Sequence, residues 1–570
     1  MKNIKRLIGI FAKILVIILL FSFVINAVPL SEYVMAQSND VLDDIYNVKF
    51  FRYKNNDITA TVKCNSDISG NVIFALYGDE KLLDVDIQDI TVGGKNEYTF
   101  LECSDNQVIK VFFWNDLNEM TPLKSYAQVN TADVNAPNVI QVNSDGYLVQ
   151  NDGNVIQLKG VNFGGWLLQE TWMCPVLAFN ADVMVKNGTE NGWANLDTLD
   201  KMEELFGKEE TAKLVKSYQD NYITEWDFQN VKNMGLNCIR IPFWYRNFMS
   251  DEDGTYITAN DDDNPGFQKL DWACNMAEKY GLYLILDMHG CPGGQSGDHS
   301  CGKVGRNYLY KEEKYQAIME ELWCRIADRY KSRTCVAAYD IMNEPFNNAD
   351  VSHNVQSKYI ADVWNNDGSN TLRVDVYDRM IKAIREKDPY HVITVEGIWR
   401  LSYLPEKPKD KGWTNVMYQL HSYDSDNSTT TTLVNSLDNY RKWHKVAGLM
   451  GEFNPAVYNN TIVSKMNEKG ISYTVWNYKT ATFLAETLNW GLYNRTYSYD
   501  EMKDVCGDKL FNNSAILNTI NSTWGETGIM FHLGKLTTEQ IKQFYTNWWT
   551  EKYLSTKNFT LNSKLKGYLN

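Results

Sequence analysis

Two glutamates in this 570-residue chain each follow a short apolar run that is typical of a buried strand. Glu344 ends the run that begins at Tyr339, and Glu452 ends the run that begins at Leu449. A carboxylate at a strand end suits a core poorly but suits a catalytic site well. Two carboxylates held close together at one rim of a barrel can cleave a glycosidic bond. The pattern therefore predicts a hydrolytic site built on Glu344 and Glu452.

The elements that must position these carboxylates alternate along residues 145–570. Eight strand candidates fall at 158–162, 238–241, 283–287, 336–342, 392–395, 416–420, 447–451 and 472–476. Helical patterns at 311–330, 372–387 and 434–445 separate several of them. This alternation predicts an α/β fold, a (β/α)₈ TIM barrel, with insertions at 173–222 and 486–535.

Local sequence signals predict a hairpin and two helix starts within the barrel region. A hairpin is predicted over 147–158, around a turn at 151–153. Thr224 with Asp227 forms a capping box that predicts a helix start. A second capping box begins at Thr537 and precedes an apolar helix face formed by Ile541, Phe544, Tyr545 and Trp548.

The N-terminus has the pattern of a secretory signal peptide over residues 1–36. A basic stretch from Lys2 to Lys13 precedes an apolar run at 14–28, and small residues up to Ala36 suit cleavage. An uncleaved anchor is the alternative, although the run is shorter than the roughly 20 residues of a membrane span. We therefore expect a secreted, extracellular protein with no stable membrane insertion after cleavage.

Residues 41–130 are predicted to form a small all-β sandwich, and the polar segment 131–144 a linker. Strand patterns at 58–63, 71–77 and 108–114 are separated by turn residues. The last of these contains Phe112, Phe113 and Trp114. Alternation along a strand must bury some of these rings, so a glycan-binding module and an inert spacer are both open.

Composition narrows the class of substrate. The formal net charge is −15, which opposes binding to nucleic acid or anionic lipid. Aromatic residues make up 13% of the chain and include 17 Trp, whose rings can stack on the faces of sugars. A neutral carbohydrate substrate is therefore consistent with the negative net charge and the high aromatic content.

Polar residues also stand near the ends of the other predicted strands. A purely structural barrel has no reason to place ionisable groups at most of its strand ends. The further candidates, taken in chain order, are Arg240, His289, Asn343, His421, Tyr423 and Trp476.

These motifs, in this order, resemble the motif series of glycoside hydrolase family 5. The series here is Ile-Arg-Ile-Pro at 239–242, Asp-Met-His-Gly at 287–290, Asn-Glu-Pro at 343–345, His-Ser-Tyr at 421–423, Gly-Glu-Phe at 451–453 and Trp476. The resemblance covers about residues 145–490. Two further motifs, at 160–166 and 289–295, are similar to the exo-β-1,3-glucanase and β-glucosidase-like branch.

The resemblance implies a retaining mechanism, in which Glu452 is the nucleophile and Glu344 the acid/base. Arg240 and Tyr423 would keep Glu452 ionised, while burial and a neighbouring carboxylate would keep Glu344 protonated. Asn343 would bind the sugar 2-hydroxyl.

The resemblance also implies that His289 and His421 bind and orient the sugar and that Trp476 is the platform beneath it. Trp166, Trp244 and Trp399 are further candidates for sugar contact or for the core.

The activity predicted is hydrolysis of β-glucosidic bonds in a β-glucan by double displacement, in the manner of an exo-β-1,3-glucanase. An endo-β-1,4-glucanase (a cellulase) of the same family is the alternative, and an inactive carbohydrate-binding protein is a further one. No cofactor and no metal are expected, and the oligomeric state is open.

The cysteines could form disulfide bonds or contribute to a zinc site. Cys64 could pair with Cys103, and Cys291 with Cys301, in an exported protein. Cys291 and Cys301 with His289 and His299 lack a standard zinc spacing, so a disulfide that clamps the loop is favoured over zinc.

Overall fold

The structure is a computed structural model of the chain. It describes residues 34–35, 40–42, 46–64, 69–79, 81–91, 94–115, 123, 126–150, 152–170, 172–176, 194–345, 368–483, 490–506 and 537–569. The chain divides into two compact units, one ending at Pro137 and the other beginning at Asn138. The predicted signal peptide falls mostly outside the described residues, and so does most of the predicted insertion at 486–535.

The first unit contains two β-sheets. One is a five-stranded sheet in the order β1-β9-β8-β5-β6 and the other a four-stranded sheet in the order β2-β3-β4-β7. Their strands are β1 (Val34–Met35), β2 (Asp40–Leu42), β3 (Tyr46–Arg52), β4 (Ile58–Cys64), β5 (Asn71–Gly78), β6 (Lys81–Asp89), β7 (Lys95–Phe100), β8 (Gln107–Trp114) and β9 (Ala127–Asn130). All neighbours pair antiparallel except β1 with β9.

The core of this unit lies between the two sheets, as predicted for an all-β sandwich. Val48 and Val62 from one sheet belong to the same buried cluster as Phe74 and Val111 from the other. Phe113 is buried in that cluster, whereas Phe112 and Trp114 on the opposite face of β8 are half-buried. Alternation along β8 thus splits the three aromatic residues between two faces.

The second unit is a closed parallel barrel, which confirms the predicted fold class. Eight strands follow one another around it, and the last pairs with the first. They are β12 (Lys159–Asn162), β13 (Cys238–Trp244), β14 (Tyr283–Gly290), β15 (Val336–Asp340), β16 (Val392–Glu396), β17 (Val416–Ser422), β18 (Ala447–Phe453) and β19 (Ser472–Val475).

Helices separate the strands along the chain, as expected for this fold. The longer ones are α1 (Asn195–Phe206), α2 (Lys208–Tyr222), α3 (Glu225–Asn233), α4 (Pro265–Tyr280), α5 (Glu313–Tyr330), α6 (Gly368–Lys387) and α7 (Asn427–His444). They are followed by α8 (Pro455–Tyr458), α9 (Ile462–Lys469), α10 (Tyr499–Cys506), α11 (Thr538–Trp548), α12 (Glu551–Leu554) and α13 (Ser563–Leu569).

Two of the predicted helix starts are found at their capping boxes. Thr224 caps α3 with Asp227, and Thr537 caps α11 with Gln540. The apolar face predicted for α11 is buried. A further sheet of β20 (Lys479–Phe483), β21 (Tyr493–Tyr497) and β22 (Thr560–Leu561) joins the segment after the barrel to the C-terminal helices.

The hairpin predicted over 147–158 forms around its turn but is short. Val149 bridges Val155, and the Ile156 N–H donates to the Leu148 carbonyl at 2.9 Å. β11 (Leu148–Val149) also pairs with the preceding β10 (Gln141–Val142). Ile140 and Leu148 pack against Leu158 and the first residues of the barrel strands. This hairpin therefore closes the N-terminal end of the barrel, opposite the rim where the strands end.

No helix among the described residues is long and apolar enough to cross a membrane.

Candidate active site

The two glutamates meet at the C-terminal rim of the barrel. Glu344 follows β15 and Glu452 lies in β18, and both side chains are buried. One carboxylate oxygen of each, together with a ring nitrogen of His421, lies within 4.8 Å of the others. Retaining glycosidases hold their two carboxyl groups about 5–5.5 Å apart, whereas inverting enzymes need roughly 6.5–9.5 Å for a water molecule. The separation therefore favours double displacement.

Glu452 is held by two donors. Arg240 Nη1 donates to its Oε1 at 2.9 Å, and the Tyr423 hydroxyl donates to its Oε2 at 2.8 Å. Burial raises the pKa of Glu452 above its ordinary value, and the charge of Arg240 opposes that rise. The arrangement presents a carboxylate whose charge is stabilised by a fixed cation and a phenol, as a nucleophile requires.

Arg240 is the centre of a wider network inside the barrel. It is fully buried, its Nε donates to Asp340 at 2.8 Å, and its Nη2 donates to Asn343 at 2.8 Å. Its Nη1 also lies 3.1 Å from Asp287. One cation thus faces three buried carboxylates, and burial raises the pKa of Asp340 to about 7.

Replacing Arg240 is expected to destabilise the barrel. Arg240→Met leaves Asp287, Asp340 and Glu452 without their cation, and breaking a buried pair costs about 3–5 kcal/mol. The free energy of unfolding, measured by denaturant titration, should fall by about that amount. Arg333→Met is the control, since Arg333 pairs with Glu278 on the surface and should cost about 1 kcal/mol or less. Equal losses in the two variants would contradict this account of Arg240.

Glu344 adopts an unusual backbone conformation. Its φ is +42°, in the left-handed region that non-glycine residues rarely occupy. Its backbone N–H donates to Glu396 Oε2 at 2.7 Å, and its Oε1 lies 2.8 Å from Nδ1 of His421. These two contacts hold the carboxyl group in the direction of the nucleophile.

The protonation of Glu344 suits an acid catalyst. Burial raises the pKa of Glu344 to about 8, and the carboxylates of Asp298 and Glu170 contribute to the rise. The sequence suggested burial and one neighbouring carboxylate, whereas the structure supplies the charge from two loop residues. A carboxyl group with this pKa is protonated at neutral pH and can donate its proton to a leaving group.

His289, Asn343 and Trp476 lie together on the other side of the site. His289 Nδ1 is 2.7 Å from Asp287, and Asn343 Nδ2 is 3.3 Å from His289 Nε2. Burial lowers the pKa of His289, but the Asp287 carboxylate outweighs it and leaves the pKa raised. The Trp476 ring stacks on the His289 ring with centroids 5.3 Å apart and planes 9° from parallel.

Three loop residues that the sequence did not single out as site residues gather near Glu344. His299 Nε2 lies 3.0 Å from Glu170 Oε2, and His299 Nδ1 lies 2.5 Å from Asp298 Oδ1. The two carboxylates raise the pKa of His299 well above its ordinary value. Loops after β12 and β14 supply these residues, and loop residues follow no periodic pattern that a sequence could show.

The loop that contains Asp298 packs closely against the barrel. Gly302 has a φ of +89°, and a Cβ there would lie 2.7 Å from the Trp244 ring. Trp244 is buried beneath this loop, and Trp166 is buried with its indole N–H donating to the Gln219 carbonyl at 2.9 Å. Neither ring is exposed at the rim, so both belong to the core.

Trp399 is different, because 37% of its surface is exposed. Its ring lies 6.3 Å from that of Tyr423, which also contacts Tyr458 and Trp490. Trp490, which the sequence did not suggest, thus joins an aromatic group beside the residue that donates to Glu452. Aromatic rings of this kind can stack on the apolar faces of sugars.

Both predicted disulfide pairs are free thiols in the structure. Cys291 and Cys301 are buried and unbonded, and so are Cys64 and Cys103. Their sulfur atoms point to backbone carbonyls instead: Cys301 Sγ lies 3.0 Å from the Asp298 carbonyl, and Cys103 Sγ lies 3.6 Å from that of Phe100. The clamp expected on the loop after β14 is therefore provided by packing.

A parallel barrel with a close carboxylate pair at its C-terminal rim defines a glycoside hydrolase of the retaining type. The family description Cellulase (glycosyl hydrolase family 5) matches residues 197–482. The chain belongs to glycosyl hydrolase family 5.

Several known proteins are similar to this chain. A protein named Beta-xylosidase from Phanerodontia chrysosporium is 26% identical over 367 residues, which cover 61% of this chain and 68% of that protein. A Glucan 1,3-beta-glucosidase from Blumeria graminis is 29% identical over 219 residues, 38% of this chain and 47% of that protein. The match therefore spans about half the length of that relative. The crystal structure of rutinosidase from Aspergillus niger aligns with a TM-score of 0.43 at 15% identity, over 57% of this chain and 90% of that one.

Proposed function

We propose that this protein is an exo-acting β-glucan hydrolase that releases single glucose units with retention of configuration. The observation on which the mechanism rests is the approach of Glu344 and Glu452 to within 4.8 Å through one oxygen each. The substrate class rests on the relatives, since a protein named Glucan 1,3-beta-glucosidase from Schizosaccharomyces pombe is also similar, at 28% identity over 192 residues. That match covers 33% of this chain and 44% of the relative.

In the first step Glu452 attacks the anomeric carbon and Glu344 protonates the departing oxygen. Arg240 and Tyr423 hold the attacking carboxylate in place, while Asn343 is positioned to donate to the sugar 2-hydroxyl. In the second step Glu344, now ionised, takes a proton from water, and that water releases the sugar from Glu452.

Exo action is supported by the cluster of Glu170, Asp298 and His299. Glu170 is buried, Asp298 and His299 are half-buried, and the three groups are mutually paired. The two carboxylates lie close enough to Glu344 to raise its pKa. Carboxylates at such a position can accept hydrogen bonds from several hydroxyls of one sugar ring. Such a cluster beside the acid/base residue favours a pocket that binds a terminal sugar over an open cleft.

A small substrate panel tests the substrate class. Laminarin, laminaribiose, cellopentaose, lichenan, an aryl β-glucoside and an aryl β-xyloside are incubated with the enzyme, and the products are separated by chromatography. The proposal expects single glucose units from laminarin and at least a roughly 10-fold preference for the aryl glucoside over the xyloside. Mixed oligosaccharides from cellopentaose or lichenan would indicate an endo-β-1,4-glucanase, and preference for the xyloside would indicate a β-xylosidase.

The pH dependence follows from the acid catalyst. Glu344 must be protonated in the free enzyme, and its pKa is raised to about 8. The value of kcat/KM on laminaribiose should therefore have a basic limb and fall as the pH rises through about 8. It should also fall at low pH, where the nucleophile Glu452 becomes protonated. A basic limb near pH 5 would contradict the role given to the buried carboxyl of Glu344.

Export is part of the proposal and rests on the basic and apolar pattern of residues 1–36. Cleavage after Ala36 would remove Val34–Met35, which forms β1. N-terminal sequencing of the protein recovered from culture medium tests this, and a protein retained in the cell with Met1 intact would contradict it.

A further inference from the structure

Glu396 is a buried carboxylic acid behind the catalytic residues. It ends β16, its side chain is fully buried, and its Oε2 accepts from the Glu344 N–H at 2.7 Å and from Gln419 Nε2 at 3.2 Å. Its other oxygen, Oε1, lies 3.3 Å from Nε2 of His421. Neither of these last two atoms makes a hydrogen bond with another residue that the structure describes, and the 3.3 Å contact brings them together.

His421 therefore stands between two carboxyl groups. Its Nδ1 lies 2.8 Å from Oε1 of Glu344, and its Nε2 faces Glu396. Burial lowers the pKa of His421 to about 3, so the ring is neutral and has one N–H and one lone pair. A neutral imidazole in this position must donate to one carboxyl group and accept from the other.

We propose that Glu396 is a positioning and proton-storing residue that exchanges a proton with the acid/base Glu344 through the ring of His421. In one state Glu344 is protonated and donates to Nδ1, while Nε2–H donates to the Glu396 carboxylate. In the other state Nδ1–H donates to the Glu344 carboxylate, and protonated Glu396 donates to Nε2. Conversion moves one proton from Glu344 to Nδ1 and one from Nε2 to Glu396, so protons and charge balance.

This exchange suits a reaction in which Glu344 alternates between acid and base. The inference rests on the proposed role of Glu344 and concerns the free enzyme, in which Glu396 holds the proton whenever Glu344 is ionised and returns it through His421 before the first step. That proton then leaves with the departing alcohol, and the water of the second step restores it. Burial and the charge of Glu344 keep the pKa of Glu396 well above its ordinary value, because two carboxylates this close repel each other. One proton is therefore retained by the pair.

Other charged and titratable groups face Glu344, His421 and Glu396, and they do so in both protonation states. Those that face Glu396 are Asp340, Arg240, Arg373 and Tyr377. Those that face His421 are Glu452, Arg240, His289 and Asp287, and those that face Glu344 are Asp298, Glu170, His289, Arg240 and Tyr423. None of them lies between His421 and Glu396, so the exchange does not pass through them.

Glu396→Gln tests the exchange with little change in shape. The amide oxygen must take the place of Oε2 to accept from the Glu344 N–H, so the amide NH₂ faces Nε2 of His421. It then donates to Nε2 and fixes the ring proton on Nδ1, which stabilises ionised Glu344. The basic limb of kcat/KM on laminaribiose should move to lower pH by about one unit or more.

A second readout is the tautomer of His421, followed by ¹⁵N NMR of histidine-labelled protein. The wild type should give averaged ¹⁵N shifts for the two ring nitrogens, and Glu396→Gln should give the shifts of a single tautomer with the proton on Nδ1. The control is Asp388→Asn, since Asp388 is a buried carboxylate in contact with His391 before β16, at the opposite end of the same strand. It should leave both the limb and the His421 signals unchanged.

The outcomes separate this inference from the proposed function. An unmoved basic limb in Glu396→Gln, or one His421 tautomer in the wild type and the variant alike, would overturn the proton exchange. A loss of kcat at all pH values with the basic limb unmoved would reduce Glu396 to a structural role and also overturn the proton exchange. If Glu344→Gln hydrolyses laminaribiose at the wild-type rate, the acid/base assignment itself fails.

Discussion

Glu452→Ala is expected to lower kcat on laminaribiose by about 10⁴-fold or more, because the covalent intermediate can no longer form. The variant should remain folded, since Arg240 keeps its contacts with Asp340 and Asn343. Steady-state kinetics and circular dichroism measure the two effects.

Azide provides the control for this variant. The cavity left by the side chain lies beside the anomeric carbon, so azide should enter it and attack an activated β-glucosyl donor to give the α-glucosyl azide. A residual rate within about 10-fold of the wild type, with no change of product on adding azide, would show that Glu452 is not the nucleophile.

Glu344→Ala is expected to depend on the leaving group. Hydrolysis of laminaribiose should fall by about 10³–10⁴-fold, because its alcohol leaving group needs a proton. An aryl glucoside with an acidic phenol needs none, so its first step should stay fast and a burst of phenol should precede slow turnover. Stopped-flow absorbance measures the burst.

Azide again distinguishes the role, since it needs no general base when it attacks the glycosyl-enzyme. It should speed turnover of the aryl substrate by Glu344→Ala and yield the β-glucosyl azide. Equal losses on the alcohol and phenol substrates would contradict acid catalysis by Glu344, and so would an α product.

The barrel itself could be predicted from the sequence because buried parallel strands form apolar runs. All eight predicted runs overlap the barrel strands. Their ends were placed too early at β13, β14, β17 and β18, which continue to Trp244, Gly290, Ser422 and Phe453. Polar residues such as His289 and His421 are inside these strands, because each contacts a carboxyl group in the interior, His289 that of Asp287 and His421 that of Glu344.

The catalytic pair was visible because each glutamate follows an apolar run. Glu396 has the same signal, since it directly follows the predicted strand 392–395, and the same reasoning would have found it. Asp287 and Asp340 are harder, because single carboxylates within a strand become acceptable only when Arg240 on another strand faces both. That pairing depends on barrel closure and on no local pattern.

The cluster of polar residues near Glu344 could not be predicted from the sequence. Glu170, Asp298 and His299 come from two loops that are far apart in the sequence, and their meeting depends on loop packing. The disulfide predicted between Cys291 and Cys301 was wrong for a similar reason, since both are free thiols in the structure. Proximity along the chain does not set the direction in which a sulfur atom points.

The central claim is that Glu452 forms a covalent bond with the sugar, and trapping of that intermediate tests it most directly. The enzyme is treated with a 2-deoxy-2-fluoro-β-glucosyl donor that has a good leaving group, then digested and analysed by mass spectrometry. We predict one added fluoroglucosyl group on the peptide that contains Glu452, and none in Glu452→Gln. A label on another residue, or rapid release of an α-configured product with no label, would contradict the account.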